Sequence, residues 1–240
     1  MTAIGGRGDS LAKIASANVG TNATDRLTAV ARALAGIVPG AGSALAEVIT
    51  SAIPKQRLDR VAAFVVLLAK EVERLSAAEK LASHSSMPLI EEGISQASGA
   101  FSEQRRLYLA KCVAHGVNAD EIDKLNELKI LQLLEEVGDD ELLLLDALDD
   151  PKARDKLSAL QPPQLRANAP VEERAKGELH RASYRKLLSI GLLSSSPYTD
   201  EPRRWRYGKH GELEEAPYVS ALGRMVLVRV GLRPGGPEVT

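Results

Sequence analysis

The sequence predicts a mainly α-helical protein that ends in a small winged-helix-like module. Aromatic residues make up only 3% of the chain, so Leu, Val, Ile and Ala must fill the core, and these residues favour packed helices over a β-sandwich. Apolar residues in the stretch Lys55–Leu75 recur at three- and four-residue spacings, which is the period of an amphipathic helix. After Pro162 and Pro163 the pattern changes to a basic helix followed by a turn-rich segment with short predicted strands.

The N-terminal part is predicted as a tail followed by a helical domain. Residues 1–24 are rich in Gly, Ser, Thr and Asn, which predicts a flexible tail. Residues 25–163 predict a multi-helix bundle, and its first part, residues 27–53, predicts a Gly-rich helical hairpin bent at Pro39 and Gly40.

Capping and breaking residues divide the rest of the helical domain. A helix is expected to follow Pro88. Ser102 is expected to cap another helix, Glu103–Ala114, which Gly116 is expected to stop. A Leu-rich helix is predicted from Asp120 to Val137, and Asp139 is expected to start the next one.

Residues 164–232 predict the winged-helix-like domain. A helix is expected over Glu172–Ile190, and Gly191 is expected to stop it. The segments Arg203–Tyr207 and Tyr218–Ser220 are expected to pair as strands, and Ser220 to cap a final helix. Residues 233–240 predict a second flexible tail.

Charge and cysteine content limit the functional classes. The net charge is −1, so nucleic-acid binding would need a local basic patch. Cys112 is the only cysteine, which excludes an intrachain disulfide and fits a reducing compartment. The first residues lack a signal-peptide pattern, so we expect a cytoplasmic protein, or one associated with the inner membrane.

No catalytic or metal-binding pattern is found in the sequence. The four histidines lack a His or Cys partner at zinc spacing, and common nucleophile, metalloprotease and phosphate-loop motifs are absent. Cys112 has apolar helical neighbours, as a structural thiol would have, and paired aspartates lie at helix boundaries, where capping explains them. We therefore expect no enzymatic activity, no cofactor and no metal.

The stretch Ala33–Ala46, ALAGIVPGAGSALA, carries no charge and leaves two interpretations open. Its small residues suit a tightly packed hairpin in a soluble core. They also suit a segment that enters a membrane or lines an oligomeric pore, because small residues let helices approach closely in lipid. The candidate membrane or pore residues are Ala33, Gly36, Pro39, Gly40, Gly42 and Leu45.

The segment RRWRYGKH is the densest cationic and aromatic stretch of the chain. Cations that contact phosphates and aromatic rings that stack on bases are typical of single-strand binding. The alternative is a solvated hairpin anchored by its tryptophan. The candidate nucleic-acid or ligand contacts are Arg203, Arg204, Trp205, Arg206, Tyr207 and Lys209, with Arg181, Arg185 and Lys186 on the preceding helix.

Four stretches carry a family resemblance. They are IPKQRLDRVAAF, SEQRRLYLAKCVAHGV, LNELKILQLLEEVGDDELLLLDAL, and ASYRKLLSIGLLSSSPY followed by YVSALGRMVL. Together they resemble bacterial abortive-infection alpha-type anti-phage proteins over most of residues 25–232, although Ser220 stands where Thr is usual. The layout is also similar to membrane effectors of Hailong-type anti-phage systems.

The resemblance implies a function and partners. It implies a helical homo-oligomer that permeabilises the inner membrane and is held in check by an oligonucleotide, made by a partner nucleotidyltransferase. The residues themselves leave two alternatives open, a cytoplasmic winged-helix DNA-binding regulator and an adaptor whose wing contacts a partner protein.

Overall fold

The computed structural model describes residues 57–81, 83–150, 170–197, 199–200, 204–205 and 215–234. Within these ranges the chain is mainly helical, with eight α-helices and a small amount of antiparallel sheet, which confirms the predicted helical class. The chain divides into two compact units, one that ends at residue 136 and one that begins at residue 137.

The first unit is a bundle of helices, and its core follows from apolar periodicity. The helices are α1 Leu58–Arg74, α2 Ala78–Leu81, α3 Met87–Gly99, α4 Glu103–Asn118 and α5 Lys124–Glu136, with a short 3₁₀ turn at His84–Ser86 before α3. The apolar face of α1 is buried, as the sequence predicts, and packs mainly on α4. That face consists of Leu58, Val61, Phe64, Val65, Leu68 and Val72. Six side chains at helical spacing form one continuous core stripe.

Glycines let the bundle helices approach closely. A Cβ atom at Gly93 of α3 would lie 2.6 Å from Val113 Cγ2 and 3.0 Å from Phe64 Cζ. At Gly116 it would lie 3.0 Å from both methyl carbons of Leu89. Gly116 was expected to end its helix, but α4 continues to Asn118. The glycine permits tight packing on α3 instead of stopping the chain, because its close neighbour is a core side chain.

Helix α1 ends in a left-handed turn at a residue other than glycine. The N–H of Ala77 donates to the carbonyl of Val72, and the N–H of Ser76 donates to that of Glu73, both at 3.0 Å. This pair of bonds defines a Schellman motif, in which the residue before the last one has positive φ. Ser76 takes that place with φ 54°.

The second unit combines three helices with paired strands. The helices are α6 Asp139–Asp149, α7 Val171–Ser189 and α8 Ala221–Arg229, and the strands are β1 Leu193–Pro197, β2 Thr199–Asp200, β3 Arg204–Trp205 and β4 Glu215–Val219. Helix α6 packs against α7, α8 and β4. The sequence placed this helix in the helical domain. In the structure it belongs to the second unit, and most of its apolar side chains are buried.

The strand pairing differs from the predicted one. Arg204–Trp205 pairs with Thr199–Asp200, and Glu215–Val219 pairs with Leu193–Pro197, both antiparallel. The expected pairing of Arg203–Tyr207 with Tyr218–Ser220 is therefore wrong. In chain order, β2 and β3 lie between β1 and β4, so the four strands form what we call the nested hairpin. The register pairs Leu193 with Val219 and Thr199 with Trp205.

Several predicted segments lie outside the described residues. These are the tail 1–24, the Gly-rich hairpin 27–53, the predicted boundary at residue 163 and most of the tail 233–240. Among the described helices, none has the length and apolar character needed to cross a membrane.

Candidate functional site

The end of α7 and the start of α8 are joined below the nested hairpin by a set of short contacts, which we call the hairpin root. Its residues are Gly191, Leu192, Ser220 and Gly223. Helix α7 ends in a Schellman motif, with Leu192 N–H donating to the Leu187 carbonyl at 3.0 Å and Gly191 at φ 76°. The positive φ at Gly191 favours glycine, and the chain turns there directly into β1.

Ser220 ties the two helices together. Its hydroxyl accepts from the N–H of Gly223 at 3.0 Å, which caps α8 as the sequence predicts. The same hydroxyl donates to the carbonyl of Gly191 at 2.7 Å, and the Ser220 N–H donates to that of Leu192 at 3.1 Å. One serine therefore satisfies polar groups of both helix ends.

Gly223 makes the approach of α8 possible. A Cβ atom there would lie 2.3 Å from the Leu192 carbonyl oxygen and 2.9 Å from Val219 Cγ1. The backbone oxygen cannot move away as a flexible side chain could, so α8 can sit at this distance only with glycine. The glycine of the motif L-G-R, which follows Ser220, is therefore needed for close packing within this unit.

The nested hairpin carries part of the predicted ligand-binding segment. The backbones of Arg204 and Trp205 form β3, opposite Asp200 and Thr199 respectively. Arg203, Arg206, Tyr207 and Lys209 lie outside the described residues, as do the predicted membrane residues Ala33, Gly36, Pro39, Gly40, Gly42 and Leu45.

The three predicted cations of α7 differ in their surroundings. Lys186 Nζ lies 2.8 Å from Glu141 Oε2, and this carboxylate also accepts the N–H of Gly138 at the start of α6. Arg181 lies 3.2 Å from Glu178 within α7. Arg185 is exposed, four residues from Arg181 and on the same side of the helix. Lys186 therefore has a structural partner, and the pair Arg181 and Arg185 offers the more accessible charge.

Helix α6 carries an acidic edge whose arginine partners were not predicted from the sequence. Arg233 donates through Nη2 to the carbonyl of Asp146 at 2.6 Å, and its Nε lies 3.3 Å from Asp149 Oδ2. Arg224 of α8 reaches the other oxygen of Asp149 at 2.9 Å. Arg233 opens the predicted C-terminal tail, and these contacts hold it against α6. Asp149 was expected to act as a helix-boundary residue, and its two arginine partners lie more than seventy residues away in sequence, beyond the reach of local rules.

His180 and Tyr184 form an edge-to-face pair on α7, with ring centroids 5.2 Å apart. Partial burial lowers the pKa of His180 and raises that of Tyr184, because both charged forms lose solvation. At neutral pH both rings are therefore uncharged.

The first unit contains a buried polar cluster at Lys124. The Lys124 Nζ donates to Ser85 Oγ at 2.7 Å and to Glu121 Oε1 at 2.9 Å, although the residue is only 5% exposed. Hydrogen bonds from the Ser85 hydroxyl and from Lys124 hold the pKa of Glu121 below its usual value. The lysine is thus a satisfied buried cation that ties α5 to the turn before α3.

Among the described side chains, no group of three or more His, Cys, Asp or Glu residues is placed to hold a metal ion. Cys112 is buried in α4, as the sequence predicts. No protein-family model, no curated protein and no solved structure matches the chain.

Proposed function

We propose that this chain is a non-enzymatic anti-phage effector of the abortive-infection type, and that its C-terminal unit is a winged-helix-like module that receives a single-stranded oligonucleotide. One observation carries the proposal. The nested hairpin begins and ends at the hairpin root, which consists of Gly191, Leu192, Ser220 and Gly223. Its strand β3 carries Arg204 and Trp205.

The chemistry of that segment fits a single strand. Arginine contacts phosphate without regard to sequence, and a tryptophan ring offers a stacking surface to any base. The chain as a whole has net charge −1, so attraction to a polyanion depends on this local cluster. The order α7, nested hairpin, α8 supports the winged-helix interpretation.

Fluorescence anisotropy with labelled single-stranded DNA tests the ligand. Replacing Arg203, Arg204 and Arg206 together by Ala is expected to weaken binding and to reduce its salt dependence. Replacing Trp205 by Ala is expected to cost about 1–3 kcal/mol of binding free energy through lost stacking. Arg74→Ala is the matched control, because Arg74 is an exposed arginine of the first unit. Equal binding by all the variants would remove the nested hairpin from the proposal.

The effector action is proposed for the uncharged stretch Ala33–Ala46, through which copies of the chain would assemble and permeabilise the inner membrane. Dye release from liposomes tests it with purified protein, alone and with added oligonucleotide. Gly40→Leu and Gly42→Leu are expected to reduce release by blocking close helix packing. Protein that releases no dye under any of these conditions would end the membrane part of the proposal.

The second candidate is a cytoplasmic DNA-binding regulator, which is favoured by the same order of helix, nested hairpin and helix. It predicts tighter binding to duplex than to single strands, lost in the triple arginine variant. Absence of duplex binding at low salt would exclude it. Genetic context separates the two candidates further, because a neighbouring nucleotidyltransferase gene is expected for the effector and a palindromic operator for the regulator. With no nucleic-acid binding at all, a protein partner for the nested hairpin becomes the remaining interpretation.

A further inference from the structure

One face of α7 is apolar and exposed. Val171 is 75% exposed and Leu179 is 69% exposed, and Ala175 and Ala182 between and after them are exposed as well. The spacings of four, four and three residues place these side chains along one side of the helix. The buried residues of α7, Gly177 and Leu187, lie on another side. We call the exposed residues 171, 175, 179 and 182 the α7 stripe.

The charges of α7 are distributed unevenly along its length. The first half carries three acidic residues, Glu172, Glu173 and Glu178, against two basic ones, Arg174 and Lys176. The second half carries Arg181, Arg185 and Lys186 and no acidic residue. A second helix of the same sequence that ran parallel would place like charges side by side. An antiparallel copy would place the acidic first turn beside the basic end, which is favourable at both ends of the pair.

We propose that the α7 stripe is a docking surface for a second copy of this chain, in an antiparallel two-fold arrangement. The same patch then serves both copies, as a closed two-fold dimer requires. Leu179 lies next to the two-fold axis and packs on Leu179 of the partner subunit. Ala175 lies beside Ala182 of the partner subunit, where the small side chains let the helices approach closely.

The charged neighbours of the stripe select this occupant. In the antiparallel pair, Glu172 comes beside Lys186 of the partner subunit. Lys186 remains 41% exposed while it binds Glu141, and its ammonium has further N–H groups to donate. A lipid surface fits less well, because Glu172 and Glu178 flank the stripe together with Arg174 and Lys176, whereas anionic headgroups favour Lys and Arg alone there.

Light scattering on the full chain tests the pairing. A monomer has a mass of 25.7 kDa. Because interfaces below about 1,200 Å² are usually weak, we expect twice that mass only at the upper end of a protein-concentration series from about 1 to about 100 µM. Leu179→Lys is expected to halve the mass by placing two ammonium groups at the axis. The control is Ile122→Lys, an equally drastic change at an apolar residue that is 87% exposed in the first unit.

Cross-linking gives a second measurement that does not depend on the total mass. Under mild oxidation, Leu179→Cys is expected to form a disulfide-linked dimer, whereas Arg181→Cys, on the other side of the helix, is not. A wild-type chain that stays monomeric at about 100 µM, or equal cross-linking of the two cysteine variants, overturns the proposal. If the chain also assembles through its N-terminal residues, the cross-linking result alone decides.

The α7 stripe shares no residue with the stretch Ala33–Ala46 or with the segment 203–209. The pairing goes beyond the proposed function and does not rest on it. A Leu179→Lys variant that is monomeric but still binds oligonucleotide would separate the two.

Discussion

At the scale of single residues, Ser76 departs from the pattern set by the other helix ends. Three helices of the described chain end in Schellman motifs, and two of them place glycine at the left-handed position, Gly191 at φ 76° and Gly231 at φ 74°. Ser76 adopts the same conformation with a side chain that crowds the backbone.

Ser76→Gly is therefore expected to raise the free energy of unfolding by about 0.5–1 kcal/mol, as relief of the left-handed strain outweighs the added freedom of the unfolded chain. Gly191→Ala is the reciprocal change and is expected to lower that free energy by about 1 kcal/mol. Urea unfolding followed by circular dichroism measures both. The explanation fails if Ser76→Gly destabilises the protein.

His180 provides a pH-dependent contribution. Because partial burial lowers its folded-state pKa below 6.5, the unfolded chain binds more protons as the pH falls through that value. The contribution to stability is fully present above the ordinary pKa and is lost toward acid pH. NMR titration should give a midpoint below 6.5 for His180, and His180→Gln should reduce the loss of stability between pH 7.5 and 5.5. A midpoint at or above 6.5 would contradict the assignment.

Local rules predicted some residues and missed others. Ser102 and Ser220 cap their helices as expected, because a cap depends on the next three residues. Lys124 could not be identified as buried, since its hydroxyl partner Ser85 comes from a turn 39 residues earlier. Residue-level prediction therefore succeeds where the partner is local and fails where the chain must fold first.

At the scale of elements, Gly93 allows α3 to pack closely on its neighbouring helices. Gly93→Ala is expected to lower the free energy of unfolding by about 1–3 kcal/mol, because the new Cβ meets Val113 and Phe64 inside a packed core. Gly99→Ala is a matched control in the same helix, where a Cβ meets nothing within 4 Å, and a change of within about 1 kcal/mol is expected. Thermal or denaturant unfolding compares the two, and equal losses would refute the packing role.

Helices were predicted better than strands. The periodicity that defines α1 is local, so its position followed from the sequence, and α7 began and ended within one residue of expectation. The end of α4 was misplaced because Gly116 contacts Leu89 of another helix. The strand partners were wrong because short strands carry little alternation, and the choice among them depends on the tertiary fold.

At the scale of the whole molecule, burial is unequal among the helices. Phe64 and Leu109 are completely buried in α1 and α4, whereas the first six residues of α7 are exposed. The grouping of α6 with the C-terminal elements also depends on the tertiary fold, because its Leu-rich sequence does not indicate which elements it packs against.

Hydrogen exchange should reflect this inequality. We expect the slowest amides in the central turns of α1 and α4, and the fastest helical amides in the first half of α7, because opening there exposes little apolar surface. Mass spectrometry of deuterated peptides measures the order. Protection in the first half of α7 that rises with protein concentration would additionally agree with pairing through the α7 stripe, whereas uniform protection of all the helices would refute the expectation.

The hairpin root has a consequence for variation and engineering. Leu193 and Val219 are adjacent partners at the base of the nested hairpin, and the contacts of Ser220 and Gly223 lie below them. The chain between residues 193 and 219 therefore leaves and returns at one fixed point. Loops with closely spaced ends tolerate changes in length at small entropic cost. This root is a natural grafting site, where one recognition loop can be exchanged for another while the helical frame is kept.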